Sequence, residues 1–183
     1  MSLFHSDAFL AFRSRDFSLL SVNQLCLILA IMIQEVVIAY SIYQLTQNPL
    51  SLGMIALIEL LPFICLSLIS GDWADRYNRQ KIVQWSFSCS TLIPLLFIVL
   101  FSQYQQQHIQ QNTLLCGIYS LIFCLGILRG IYSPSFNSLR PFLTPESAYS
   151  NAATWTALIW QIGGILAPLC AGLLLGQLGL EKT

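Results

Sequence analysis

Polar and apolar positions are segregated into long blocks along this chain. No Asp, Glu, Lys or Arg occurs in residues 17–34, 82–128 or 147–180. A helix that crosses a bilayer needs about 20 mostly apolar residues. The middle block is long enough for two such helices and is split by Gln103-Tyr-Gln-Gln-Gln-His-Ile-Gln-Gln-Asn112, which is too polar for hydrocarbon. The pattern predicts an all-α membrane protein with five spans, at 17–44, 50–70, 82–102, 113–135 and 149–175. A tail at 1–16 precedes the bundle (17–178), and residues 179–183 follow it.

Composition narrows the class. Hydrophobic residues make up 56% of the chain and charged residues 9%, with a mean hydropathy of +0.69. A soluble domain covers its surface with about 25% charged residues, so this one cannot cover itself in water. A disordered chain, a coiled coil and a nucleic-acid binder are excluded on the same grounds. Eight basic and eight acidic residues cancel, so no long-range field attracts a polyanion.

The basic residues are lopsided. Arg13, Arg15, Arg76, Arg79, Lys81 and Arg140 fall at span ends on one side, and only Lys182 lies on the other. The positive-inside rule then predicts a cytoplasmic N-terminus in the plasma or inner membrane of the cell. The first span is too long for a signal-peptide core and lacks a small-residue cleavage site, so it belongs to the mature chain.

Chemistry-bearing clusters are absent from the sequence. The six cysteines all fall within predicted spans without a CxxC or Cys/His grouping, and read as small packing residues. His5 sits in the tail and His108 in the Gln-rich loop. There is no phosphate loop, GxSxG or paired-carboxylate motif, so neither an enzyme nor a metal or cofactor protein is expected.

Between the second and third spans the chain reads Gly71-Asp-Trp-Ala-Asp-Arg-Tyr-Asn-Arg-Gln-Lys81. Physically this is a short hairpin. Gly71 would admit a neighbouring backbone, Asp75 would cap a helix N-terminus, and Arg76, Arg79 and Lys81 would meet lipid headgroups. A plain basic loop that sets topology would also satisfy this. The order Gly-x-x-Ala-Asp-Arg-x-x-Arg-x-Lys, formed by Gly71, Ala74, Asp75, Arg76, Arg79 and Lys81, resembles the signature loop of the major facilitator superfamily at its usual topological position. Asn78 replaces the family's second glycine, and such a residue tolerates left-handed geometry. Gln80 stands where a basic residue is common.

Further segments are similar to the family's drug-efflux and siderophore-exporter (enterobactin-exporter-like) branch. They are Leu45–Gly53 after the first span, Arg129 in Leu128-Arg-Gly-Ile-Tyr-Ser-Pro134, and Leu139–Pro145 followed by Asn151-Ala. In the fifth span, Gly163, Ala167, Pro168, Ala171 and Gly172 resemble the antiporter motif Gly-x-x-x-Gly-Pro-x-x-Gly-Gly, with two glycines replaced by alanine. On spacing alone, Gly163, Ala167 and Ala171 form a small-residue ridge beside a second one of Gly164, Gly172 and Gly176. Such ridges allow close helix approach, and Pro168 invites a kink.

Glu35, Glu59 and Arg129 are the ionisable residues inside predicted spans. A charge at the bilayer centre costs about 2.5–3.5 kcal/mol on insertion scales, so each is expected to face a cavity or a partner. Apolar surroundings disfavour an ionised carboxyl group and a nearby cation favours it, which is the competition a proton-coupled site needs. A hydrogen-bonded neutral Glu or a purely structural salt bridge is the plainer alternative. Glu59 is favoured by depth. Glu35 is favoured because the resemblance implies that helix one lines the central cavity, and we expect Glu35 to respond to protons with Arg129 as the tuning charge. Gln34, Asn151, Trp155 and Gln161 offer further polar or aromatic faces.

The resemblance implies two six-helix halves with substrate between them, whereas five spans are present here. The expectation is the N-terminal portion of a proton-coupled exporter of a small organic molecule, completed by a missing C-terminal half or another chain. The alternative is a truncated, non-transporting membrane protein that regulates a partner transporter.

Overall fold

The structure is a computed structural model and describes residues 11–143 and 148–178. The side chains of Arg13, Asp16, Ala74, Asp75 and residues 139–143 are outside that description. The tail ends 1–10 and 179–183, and the expected link at 144–145, also lie outside it.

Among the described residues, five α-helices follow a 3-10 turn at Ala11–Arg13. They are α1 (Arg15–Thr46), α2 (Leu50–Arg76), α3 (Arg79–Gln105), α4 (Gln111–Leu143) and α5 (Tyr149–Leu178). Each contains a segment long and apolar enough to cross a membrane, and no strand occurs among the described residues. Large apolar side chains stand exposed, such as Leu68 at 79% and Trp85 at 76%. In water such a surface would aggregate; against lipid tails it is the expected outer face of a membrane bundle.

The chain divides into two compact units. One joins the first part of α1, with its preceding turn, to α5. Ala11, Phe17, Ala148 and Ala152 are buried together there, with Phe12 and Trp155 packed against them. The Phe12 ring meets Trp155 edge-on at 4.9 Å, and Asn151 Oδ1 accepts the Ala11 N–H at 3.2 Å. Further along, Gly163 faces Ile28 so closely that a methyl group there would sit 2.5 Å from Ile28 Cγ2. Both contacts advance in the same direction, so α1 and α5 run parallel.

The other unit, residues 39–139, holds α2, α3 and α4. Phe87 on α3 packs edge-on against Tyr132 on α4 at 5.1 Å. Helices α2 and α4 run parallel, from Tyr119 near Ser51 through Gly126 against Glu59 and Pro62 to Gly130 against Phe63 and Leu66.

Three local expectations are corrected. The signature segment is mostly helical: α2 continues to Arg76 and α3 starts at Arg79, leaving Tyr77 and Asn78 as the turn. Gly71 admits no neighbouring backbone, since nothing lies within 4 Å of where its Cβ would be. Asn78 is not left-handed; its φ of −68° and ψ of 106° are extended, and its side chain accepts from the Gln80 and Lys81 N–H groups as the N-cap of α3.

Candidate functional site

Close approach of α2 and α4 is set by two glycines spaced four residues apart. A methyl at Gly126 would overlap the Glu59 carbonyl oxygen and lie 2.7 Å from Pro62 Cγ. One at Gly130 would lie 2.9 Å from Leu66 Cβ and 3.0 Å from the Phe63 carbonyl. Only hydrogen fits at these positions, so the backbones touch.

Between those glycines stands Arg129, whose guanidinium Nη1 donates to Glu59 Oε1 in an ion pair. The side chains are 23% and 16% exposed respectively. Each charge alone would be costly at this depth, and pairing offsets much of that cost. The pair borders a cavity of about 340 Å³ lined also by Ala56, Leu60 and Phe63. Carboxylate and guanidinium are therefore accessible to a small solute or water from an otherwise apolar hollow.

A larger hollow, about 670 Å³, runs along α4 and includes Asn112, Tyr119 and Ser120 among apolar and cysteine side chains. Its polar groups can accept and donate hydrogen bonds without adding charge. Among the described residues, no three His, Cys, Asp or Glu side chains gather as a metal site.

Of the two glutamates expected from the sequence, Glu59 has its carboxylate on the Arg129 guanidinium. Glu35 is an exposed residue of α1. Neighbouring Gln34 has its Nε2 buried with no hydrogen-bond partner among the described residues. Asn151 and Trp155 are occupied in packing the turn before α1, while Gln161 is exposed.

In the signature segment, Arg76 Nε donates to Asp72 Oδ1 at 2.9 Å on an exposed face, Arg79 is half-buried and Lys81 is exposed. Ala74 and Asp75 belong to α2, their side chains outside the described set. In α5, Ala167 and Ala171 are fully buried and Gly163 faces Ile28. Pro168 and Gly172 lie exposed, and Gly164, Gly172 and Gly176 have open space beside them. The two ridges thus differ: the first packs and the second does not.

Ser70, Gly126 and Gly130 were not singled out from the sequence. The four-residue spacing of the two glycines was the available signal, the same small-residue spacing that marked the fifth span.

The chain is similar in sequence to known transporters. The staphyloferrin A transporter of Staphylococcus aureus (strain NCTC 8325 / PS 47) is 26% identical over 128 residues, covering 70% of this chain and 31% of that protein. Two uncharacterized MFS-type transporters of Bacillus subtilis (strain 168) also match. YkuC is 27% identical over 66% of the chain and 26% of its own length, and YfiS is 23% identical over 80% and 32%. The chain thus spans about a quarter to a third of the length of these relatives. No solved structure matches it significantly. The sequence model of the Major Facilitator Superfamily matches residues 20–181, and this chain, an integral multi-pass membrane protein, belongs to that family of transporters rather than to any class of enzyme.

Proposed function

We propose that the chain forms the N-terminal part of a proton-coupled exporter of a small organic molecule of drug or siderophore type, working by alternating access. The observation that carries this reading is the Glu59–Arg129 ion pair between α2 and α4 beside an apolar cavity. With Glu59 ionised, its attraction to Arg129 draws the two helices together. A proton arriving on a Glu59 carboxylate oxygen removes the negative charge and releases the guanidinium, so the helices can re-pack. The same proton leaves to water when the site faces the other side. The pairing favours Glu59 over Glu35 as the responsive carboxylate.

The staphyloferrin A transporter among the relatives supports the siderophore class, and the weakened antiporter motif in α5 supports export. Further sequence or a second chain supplies the rest of the pathway, since the matched stretch covers only about a third of these relatives. The basic residues at the α2–α3 turn support a cytoplasmic N-terminus in the cell membrane. Gly71, Ala74, Asp75, Arg76, Arg79 and Lys81 act in gating at that end, and Asp75→Asn impairs transport while sparing insertion.

The test is proton-driven accumulation of substrate within inside-out vesicles, the equivalent of export from the cell, made from cells that produce the complete protein, with a pH-sensitive dye reporting the gradient. Glu59→Gln abolishes gradient-driven export and Glu35→Gln leaves it largely intact. Normal export in Glu59→Gln with loss in Glu35→Gln moves coupling to helix one. Normal export in both removes coupling from this part of the protein.

A further inference from the structure

Proline at position 134 leaves a gap in α4. In a helix the N–H of each residue bonds the carbonyl four residues earlier, and Pro134 has no N–H to give to Gly130. An unpaired carbonyl costs several kcal/mol in hydrocarbon. Yet α4 continues without interruption from Gln111 to Leu143.

The missing donor comes from another helix. Ser70 of α2 is 1% exposed, and its Oγ–H donates to the Gly130 carbonyl at 2.6 Å. The same hydroxyl lies 3.3 Å from the Ser67 carbonyl of its own helix, the usual resting place for a helical serine. A single proton cannot serve both fully, and the shorter contact takes it. Gly130 makes this possible, because any side chain there would run into Phe63 and Leu66. Gly130, Pro134 and Ser70 are thus mutually dependent.

We infer that Ser70 is a positioning residue that braces the proline break of α4 by standing in for the lost helical donor, and so fixes the segment that carries Arg129. The brace makes the break an ordered joint: while Ser70 holds the carbonyl, α4 is stiff on both sides of it; when α2 withdraws, the carbonyl is released and α4 bends there. Its bearing on Arg129 rests on the coupling reading, but the brace stands or falls by itself.

The experiment is a double-mutant cycle on the full chain in lipid nanodiscs, read by amide hydrogen exchange of α4 peptides around residues 127–138. One hydrogen bond is worth roughly 0.5–1.5 kcal/mol net, so Ser70→Ala speeds exchange there roughly three- to tenfold. Ser70→Cys, close in volume but a weak donor, does the same. In a Pro134→Ala background residue 134 regains its own N–H, and Ser70→Ala then changes exchange less than about twofold. Equal effects in both backgrounds make Ser70 an ordinary packing residue and overturn the inference. So does wild-type exchange in Ser70→Ala, or in Ser70→Cys alone. The vesicle assay has no part in this cycle, so a failure of proton coupling leaves its outcome readable.

Discussion

Arg129 pairs with Glu59 at the place where α4 lies backbone to backbone on α2, with Gly126 three residues before it and Gly130 directly after. Charge pairing and steric permission are therefore one feature: the glycines bring the helices close, and the closeness brings guanidinium to carboxylate across an apolar contact. Removing either part should disturb the other.

Removing one member of the pair leaves the other charge stranded. Glu59→Leu and Arg129→Leu singly should each lower unfolding free energy in mild detergent by about 2 to 4 kcal/mol, somewhat below fully buried pairs because both side chains retain some exposure. The double variant Glu59→Leu/Arg129→Leu should recover most of that loss while staying inactive in export. Additive losses would mean that the two charges do not depend on each other.

Glycine substitutions should rank by the space beside them. Gly126→Ala meets backbone and should cost about 1–3 kcal/mol. Gly163→Ala meets the Cγ2 branch and Cβ of buried Ile28, stiff side-chain atoms rather than backbone, and should cost somewhat less. Gly172→Ala, with open space around it, should be neutral or stabilise by up to about 1 kcal/mol through helix propensity. Thermal midpoints of the three variants check the order, which a uniform response would refute.

At the α2–α3 turn, Asn78 rather than Asp75 occupies the cap of α3. Asn78→Ala should therefore cost about 1 kcal/mol, and Asn78→Asp should cost little. Asp72→Asn should leave stability within about 0.5 kcal/mol, because its pair with Arg76 is on an exposed face. Chemical-denaturation midpoints distinguish the three.

Much of this molecule was legible as a sequence because hydrocarbon length and charge avoidance are one-dimensional constraints. They mark four of the five helices from the blocks free of charge, and α2 from an apolar run interrupted by Glu59 alone. Helix ends were less legible. Gly71 does not stop α2, because the helix accommodates it and the Asp72–Arg76 pair one turn apart supports continuation. Pro134 does not stop α4, because its cost is met by Ser70, a residue 60 positions earlier in the chain. Depth in the bilayer placed Glu59 as a candidate, but depth does not tell which way a side chain faces, so its partner needed three dimensions.

Orientation is open to direct measurement. In a background lacking the six cysteines, an impermeant thiol reagent should label Gln106→Cys in intact cells and reach Asn78→Cys only after permeabilisation. Labelling of Asn78→Cys in intact cells would invert the proposed topology.

The 70-residue separation of Glu59 from Arg129 has a consequence for biosynthesis. At about 5–20 residues per second of translation, α2 emerges roughly 4–14 s before its partner. During that interval the glutamate must enter the membrane without its arginine. The other residues of α2 have to drive that step unaided, and apart from Glu59 they form an apolar stretch long enough to cross a membrane. The greasiness of this helix is thus an advance provision for a charge whose counterpart has not yet been made.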